Sequence, residues 1–274
     1  MPTYTFGSPT PTKLYVELGK GRIDVSAIDT DEAVVTIEGE DPDAVKVEQD
    51  GDEIRIIGPK QFNVLGFGPR GHDVTVTVPL QSQLRTKTGS ADVSAHGPLR
   101  ALWAQTGSGD LDVERVDGPA TIATGSGDVE IELVAGDLQV KTGSGDVDVA
   151  RSGERVLVAT GSGDVRVRHA SGEVTAKTGS GDLTVDVAEG DVSLTTGSGD
   201  LAVRRAVRGK VTGKGASSDI RIGIPAGTPV WTDINTVSGS IRSGVTGAGQ
   251  PADGQDHVEL RARTVSGDIV LEQL

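Results

Sequence analysis

The chain of 274 residues contains no cysteine, a single methionine and only 3% aromatic side chains. Without cysteine, neither a disulfide frame nor a thiolate metal site is available. Basic residues are also scarce: 26 Lys and Arg face 40 Asp and Glu, which leaves a net charge of −14 and an isoelectric point near 4.7. Nucleic acid and anionic lipid both select a basic footprint, so neither is expected as the main partner. No stretch approaches the ~18 consecutive apolar residues of a membrane span, and Met1–Phe6 has neither the charged nor the apolar region of an export signal. As written, the chain is expected in the cytoplasm, and outside the cell only if an export signal has been removed from it.

Glycine, by contrast, is plentiful, with 39 copies, and the apolar residues are mostly Val, Leu and Ile. This composition suits narrow strands joined by tight turns rather than a core built on large rings. The glycines are ordered. Thr88-Gly-Ser-Ala-Asp92 is followed by Thr-Gly-Ser-Gly-Asp at Thr106, Thr124, Thr142, Thr160, Thr178 and Thr196, each 18 residues after the last. An unbroken period of this kind means identical backbone units stacked on one another.

Within the copy from Thr124 to Lys141, Val129 and Ile131 alternate with Glu130 and Glu132, Gly136-Asp137 interrupts, and Leu138 and Val140 alternate with Gln139 and Lys141. The pattern is strand, turn, strand, turn. The first strand supplies the inward pairs Leu111/Val113, Val129/Ile131, Val147/Val149, Val165/Val167, Leu183/Val185 and Leu201/Val203. The second supplies Ile122, Leu138/Val140, Val156/Val158, Val174 and Val192/Leu194. Glycine at both corners, as at Gly127, Gly136 and Gly145, suggests reversals that demand a positive φ. Outward charges also stack: Ala150, Arg168, Asp186 and Arg204 form one column that alternates in sign.

The fold expected is all-β, a β-solenoid with 18-residue coils and two main parallel sheets, in one continuous body. Residues 1–80 hold strand-like segments at irregular spacing, among them Leu14–Leu18, Arg22–Val25, Val34–Ile37, Ala44–Val47, Glu53–Ile57 and Val74–Val78, and are expected as N-terminal capping coils. Residues 81–205 form the regular solenoid. Residues 206–274 form looser coils: the register slips by one at Lys214–Asp219, a Gly-rich stretch from Gly244 to Asp256 reads as a mobile loop, and Ile269–Leu271 reads as the closing strand.

Only one concentrated chemistry appears, the column Asp92, Asp110, Asp128, Asp146, Asp164, Asp182 and Asp200. Carboxylates about 4.8 Å apart would repel by roughly 3.5 kcal/mol per pair at an effective dielectric of about 20, so something must relieve the repulsion. Either turn N–H groups and neighbouring Ser hydroxyls donate to them, as in Asx turns, or cations bind between coils. The calcium-binding nonapeptide β-roll has 18-residue coils too, but it separates Gly from Asp by a spacer, whereas here Asp110 follows Gly109 directly. Hydrogen-bonded turn carboxylates are therefore the expectation, with Asp110, Asp128, Asp146, Asp164, Asp182 and Asp200 as candidates for an ion-binding alternative. The Ser column has no recurrent His partner. His72, His96, His169 and His257 fall at unrelated phases and read as surface residues. Trp103 occupies an outward column and is expected under the Gly58–Gly71 loop with Phe62 and Phe67, or else as an anchor for a partner.

The Ser-Gly-Asp-Val/Ile-x-Val repeats, the opening Gly21-Arg-Ile-Asp-Val25 and the terminal Thr264-Val-Ser-Gly-Asp-Ile269 resemble the bacterial "putative adhesin" family of β-strand-repeat proteins, common in actinobacteria. The resemblance covers most of the chain. It implies a single-stranded, right-handed β-helix and brings no activity, cofactor or catalytic residue. The function expected is a non-enzymatic interaction scaffold that binds a protein partner or itself. A calcium-binding module is the alternative, and a carbohydrate-active β-helix enzyme is disfavoured by the scarcity of aromatic platforms.

Overall fold

The structure is a computed structural model and describes residues 1–8, 11–59, 71–245 and 256–274. Among these the backbone is almost all strand, and its one helical element is the 3-10 turn Pro42–Ala44. Two compact units divide the chain, Met1–Gly136 and Asp137–Leu274.

In the first unit, the long strand Gln83–Leu99 turns a corner and pairs in parallel with Lys13–Ile28 on one edge and with Ala101–Thr106 and Leu111–Val116 on the other. Ala120–Thr124 and Val129–Val134 then follow, with Trp103 facing Thr121 and Leu111 facing Val129, 18 residues on. Beyond Lys13–Ile28 lie Glu53–Ile57 and His72–Pro79, both parallel to it. The outer strands reverse. Lys46–Asp50 pairs antiparallel with Glu53–Ile57, Glu32–Gly39 with His72–Pro79, and Thr3–Gly7 with Glu32–Gly39. Most of the expected N-terminal segments are strands, but stacking order is not chain order here, because Lys13–Ile28 sits between strands that follow it in sequence. Ala44 also departs from the expected strand, since Pro42, which has no backbone N–H and a fixed φ, opens the 3-10 turn and strand starts only at Lys46.

In the second unit two columns of parallel strands rise in steps of 18: Val147, Val165, Leu183 and Leu201 face one another in turn, as do Leu138, Val156, Val174 and Val192. One residue is then added. Val192 faces Val211 and Leu201 faces Ile220, each 19 residues on. Gly213 faces Leu194, and a Cβ on Gly213 would lie 2.6 Å from Ile220 Cδ1, so Ile220 occupies the space that a larger residue would fill.

The last coils exchange places. Val258–Ser266 lies between Gly209–Ser217 and Val230–Ser238, and Ile269–Gln273 lies between Ile220–Ile224 and Ile241–Ser243. Ile269–Leu271 is thus not the closing strand; among the described residues the coil formed by Val230–Ser238 and Ile241–Ser243 is outermost. Hydrophobicity explains the exchange. Val258, Leu260, Ala262, Ile269 and Leu271 are all buried, whereas the outer coil sets Thr232 opposite Leu260. The expected mobile loop at Gly244–Asp256 falls largely on residues 246–255, outside the described residues.

Every inward residue named from the alternation is buried. The structure adds a third inward column, Val116 and Val134 in the first unit and Ser152, Ala170, Ala188 and Ala206 in the second. Two consecutive outward residues, such as Glu114-Arg115, bend the strand so that the next side chain turns inward again.

Candidate functional site

The repeated turn is best understood by following its backbone donors, each of which must find an acceptor. In Thr106–Asp110 the N–H groups of Gly107 and Ser108 donate to the carbonyl of Gly89, at 2.9 and 3.0 Å. The Gly109 N–H donates to Thr106 Oγ1 at 3.0 Å, and the Asp110 N–H to Asp92 Oδ1 at 3.1 Å. The Leu111 N–H reaches the Asp128 carbonyl at 2.9 Å, which resumes the ladder. Every N–H from Gly107 to Leu111 is satisfied.

The bonds recur in the second unit. Thr160, Thr178 and Thr196 accept from Gly163, Gly181 and Gly199, while Asp146, Asp164, Asp182, Asp200 and Asp219 accept from the N–H of Asp164, Asp182, Asp200, Asp219 and Asp268. Of the donors expected for the carboxylates, turn N–H groups and Ser hydroxyls, the one found is a turn N–H, that of the next Asp in the stack. Among the described residues no group of three or more His, Asp or Glu is arranged to hold a metal ion.

The turn glycines also differ from expectation. Gly127, Gly136 and Gly145 are not among the residues with positive φ. Crowding selects glycine instead: a Cβ on Gly127 would overlap the Gly109 carbonyl oxygen, and one on Gly136 would lie 2.6 Å from the Gly118 carbonyl carbon. The repeated Ser side chains at Ser108, Ser126, Ser162, Ser180 and Ser198 are exposed.

His72 is buried rather than on the surface, with Nε2 3.0 Å from the Asp41 carbonyl. His169 lies 3.5 Å from Glu189. The outward charges of the second unit pair as their alternation suggests, Arg204 with Asp186 at 3.2 Å, and diagonally Arg166 with Asp186 at 2.9 Å and Arg168 with Asp148 at 3.2 Å.

Side chains not consumed by architecture gather on one outward face of the first unit. Register places Arg55, Tyr15, Arg85, Trp103 and Thr121 in a single cross-strand column. The Arg85 guanidinium lies between two rings, 4.6 Å from the Trp103 centroid and 5.9 Å from that of Tyr15, and Arg55 lies 5.5 Å from the other side of Tyr15. Burial, and after it a 2.8 Å hydrogen bond to Glu17, holds the Tyr15 phenol above its ordinary pKa, so it is a neutral donor. A trough of about 310 Å³ runs along this column, with Lys13, Gln83, Ala101 and Pro119 lining it alongside the aromatic residues. Among the described residues its lining holds one carboxylate, Glu53, which pairs with Arg55 at 3.8 Å. The loop expected over Trp103 falls mainly on residues 60–70, outside the described residues; the described neighbour of the ring is Arg85. Only Trp103 and Thr121 of this column were apparent in the sequence, because the 18-residue period begins after Tyr15 and Arg55.

Parallel coils with inward aliphatic columns and polar turn ladders define a β-helix-like solenoid protein. The chain belongs to the Toastrack DUF4097 family, whose model matches residues 12–272. A comparison with curated proteins gives no match. Among solved structures, a putative adhesin from Bacteroides fragilis is 15% identical, with a TM-score of 0.42 over 98% of this chain and 96% of the other. A putative lipid binding protein from Parabacteroides distasonis is 16% identical, with a TM-score of 0.38 over 100% and 96%. A putative adhesin from Parabacteroides distasonis is 13% identical, with a TM-score of 0.38 over 98% and 96%.

Proposed function

We propose that the chain is a non-enzymatic interaction scaffold of adhesin-like type that binds a protein partner or a second copy of itself, and that self-association runs through its outermost C-terminal coil. The observation that carries this reading is the Val230–Ser238 edge. Among the described residues this strand pairs on one side only, with Val258–Ser266, and it leaves Trp231 69% and Val237 78% exposed. A free strand edge is a row of unused donors and acceptors that templates another strand. The sequence also suits a copy of itself. Antiparallel pairing centred on Ile234 sets Trp231 opposite Val237, Thr232 opposite Thr236 and Asp233 opposite Asn235, with no like charges in register.

Light scattering behind size exclusion tests this reading. The chain is expected to dimerise as concentration rises, and Val237→Lys, a charge of the kind that guards natural edges, is expected to hold it as a monomer with the melting temperature of the parent at concentrations where the parent is monomeric. A chain that stays monomeric throughout, or a dimer indifferent to Val237→Lys, would remove this edge from the reading.

A further inference from the structure

From the Arg85 face of the first unit we infer a binding site for an acidic carbohydrate, its carboxylate held by Arg85 and its ring faces laid against Trp103. The site stands whether or not the Val230–Ser238 edge pairs with a second copy.

Charge pairing on this face comes first. Lys13 meets Asp52 at 2.9 Å, Arg55 meets Glu53 at 3.8 Å and Lys87 meets Glu17 at 3.5 Å. Arg85, in a chain of net charge −14, has no carboxylate in ion-pair range among the described residues. Its guanidinium carbon lies within cation–π range of both the Trp103 and the Tyr15 ring, which holds the side chain on this face. The guanidinium's planar edge of N–H donors is the geometry that takes a carboxylate through two parallel hydrogen bonds.

The surroundings narrow the ligand further. The Trp103 ring has Arg85 one strand away on one side and the small Thr121 one strand away on the other, with Ala101 and Pro119 in the next column. A flat indole beside small residues is a platform for the C–H face of a sugar ring. The trough crosses several strands spaced about 4.8 Å apart, so an extended oligomer can lie along it with successive rings over successive strands. Lys13 and Gln83 along the same trough supply donors for hydroxyl and carboxylate oxygens. An acyl chain would find these polar groups unpaired against it, and a neutral sugar would leave Arg85 without its partner.

The chain contains only two tryptophans, so the full-length Trp231→Phe protein carries Trp103 as its single indole reporter. Titration with trigalacturonate, followed by Trp103 emission and by calorimetry, is expected to saturate. Arg85→Gln is expected to weaken binding about tenfold or more, the loss of a charge-assisted contact. Arg85→Lys, which keeps the charge and loses the planar fork, is expected to fall between the two, and it serves as the working variant if Arg85→Gln does not fold. Neutral galactotriose is expected to bind at least about tenfold more weakly than trigalacturonate on the same reasoning. The inference is overturned if trigalacturonate gives no saturable signal, if galactotriose binds the protein as tightly as trigalacturonate does, or if the Arg85→Gln or Arg85→Lys protein binds trigalacturonate as tightly as the parent. It is likewise overturned if triglutamate, an acidic peptide of equal charge, binds as tightly as trigalacturonate.

Discussion

Thr-Gly-Ser-Gly-Asp can be read one residue at a time as the solution to a backbone problem. The Thr hydroxyl accepts the N–H of the second Gly, that Gly lies against the backbone of the coil before it, and the Asp carboxylate accepts the N–H of the Asp in the coil after it. Ser alone makes no recurrent side-chain bond and stays exposed. The copy at Thr160–Asp164 therefore gives an ordered prediction for chemical denaturation. Gly163→Ala should cost about 1–3 kcal/mol, because its Cβ would overlap the Gly145 carbonyl oxygen. Its φ is not positive, so alanine's smaller unfolded-state entropy would otherwise favour the change, and a loss is purely steric. Thr160→Val should cost about 1–3 kcal/mol by leaving the buried Gly163 N–H without an acceptor. Asp164→Asn keeps an Oδ1 acceptor for Asp182 and should cost less than either, while Ser162→Ala should stay within about 0.5 kcal/mol. A Ser162→Ala cost equal to that of Gly163→Ala would contradict this division of labour.

At the scale of the strand, the 18-residue step makes neighbouring coils interchangeable. Deleting Thr160–Lys177 joins Ala159 to Thr178 and lets Val147 face Leu183, and Val156 face Val192, in the places now held by Val165 and Val174. The shortened chain is expected to keep its strand circular dichroism and a cooperative melt, whereas deleting nine residues from the same point should abolish both by setting unlike strands in register. The same interchangeability marks what the sequence reveals and what it hides. Alternation assigned the inward residues from Leu111 to Val203, and the period assigned their neighbours, because both are local. Stacking order at the ends is not local: the apolar face of Val258–Ser266 fits against Gly209–Ser217 as well as any other coil would, and only comparative burial puts it inside Val230–Ser238. The corner column at Val116 was hidden because two successive outward residues break the period of two that marks a strand. The Arg85 site was half legible for a related reason, since Trp103 and Thr121 are one period apart but Tyr15 and Arg85 are 70 residues apart and meet only through the displaced Lys13–Ile28 strand.

For the whole molecule, acidity sets two effects of opposite sign against each other. A net charge of −14 repels itself, and protonation would relieve that repulsion and stabilise the fold as pH falls. Against this stand carboxylates whose charged form is favoured by the native structure. A backbone N–H and side chain of Ser240, then Arg242 and Arg221, hold Asp268 below its ordinary pKa. Arg115, with help from Gln81, does so for Asp117, and Lys13 does so for Asp52. For a group whose folded pKa lies below its unfolded one, the stabilisation is complete above the unfolded value and disappears as pH falls through the folded value. The hydrogen-bonded groups act at contact distance, whereas the net repulsion is spread over the surface and screened beyond about 10 Å at 0.1 M salt. The melting temperature is therefore expected to hold near neutral pH and to fall as pH is lowered from about 5 toward 3 in 0.1 M salt. The Asp268→Asn protein, which cannot lose that charge, should start lower at pH 7 and show a smaller drop. A melting temperature that rises as pH approaches the isoelectric point, with the rise abolished by added salt, would show that repulsion governs instead.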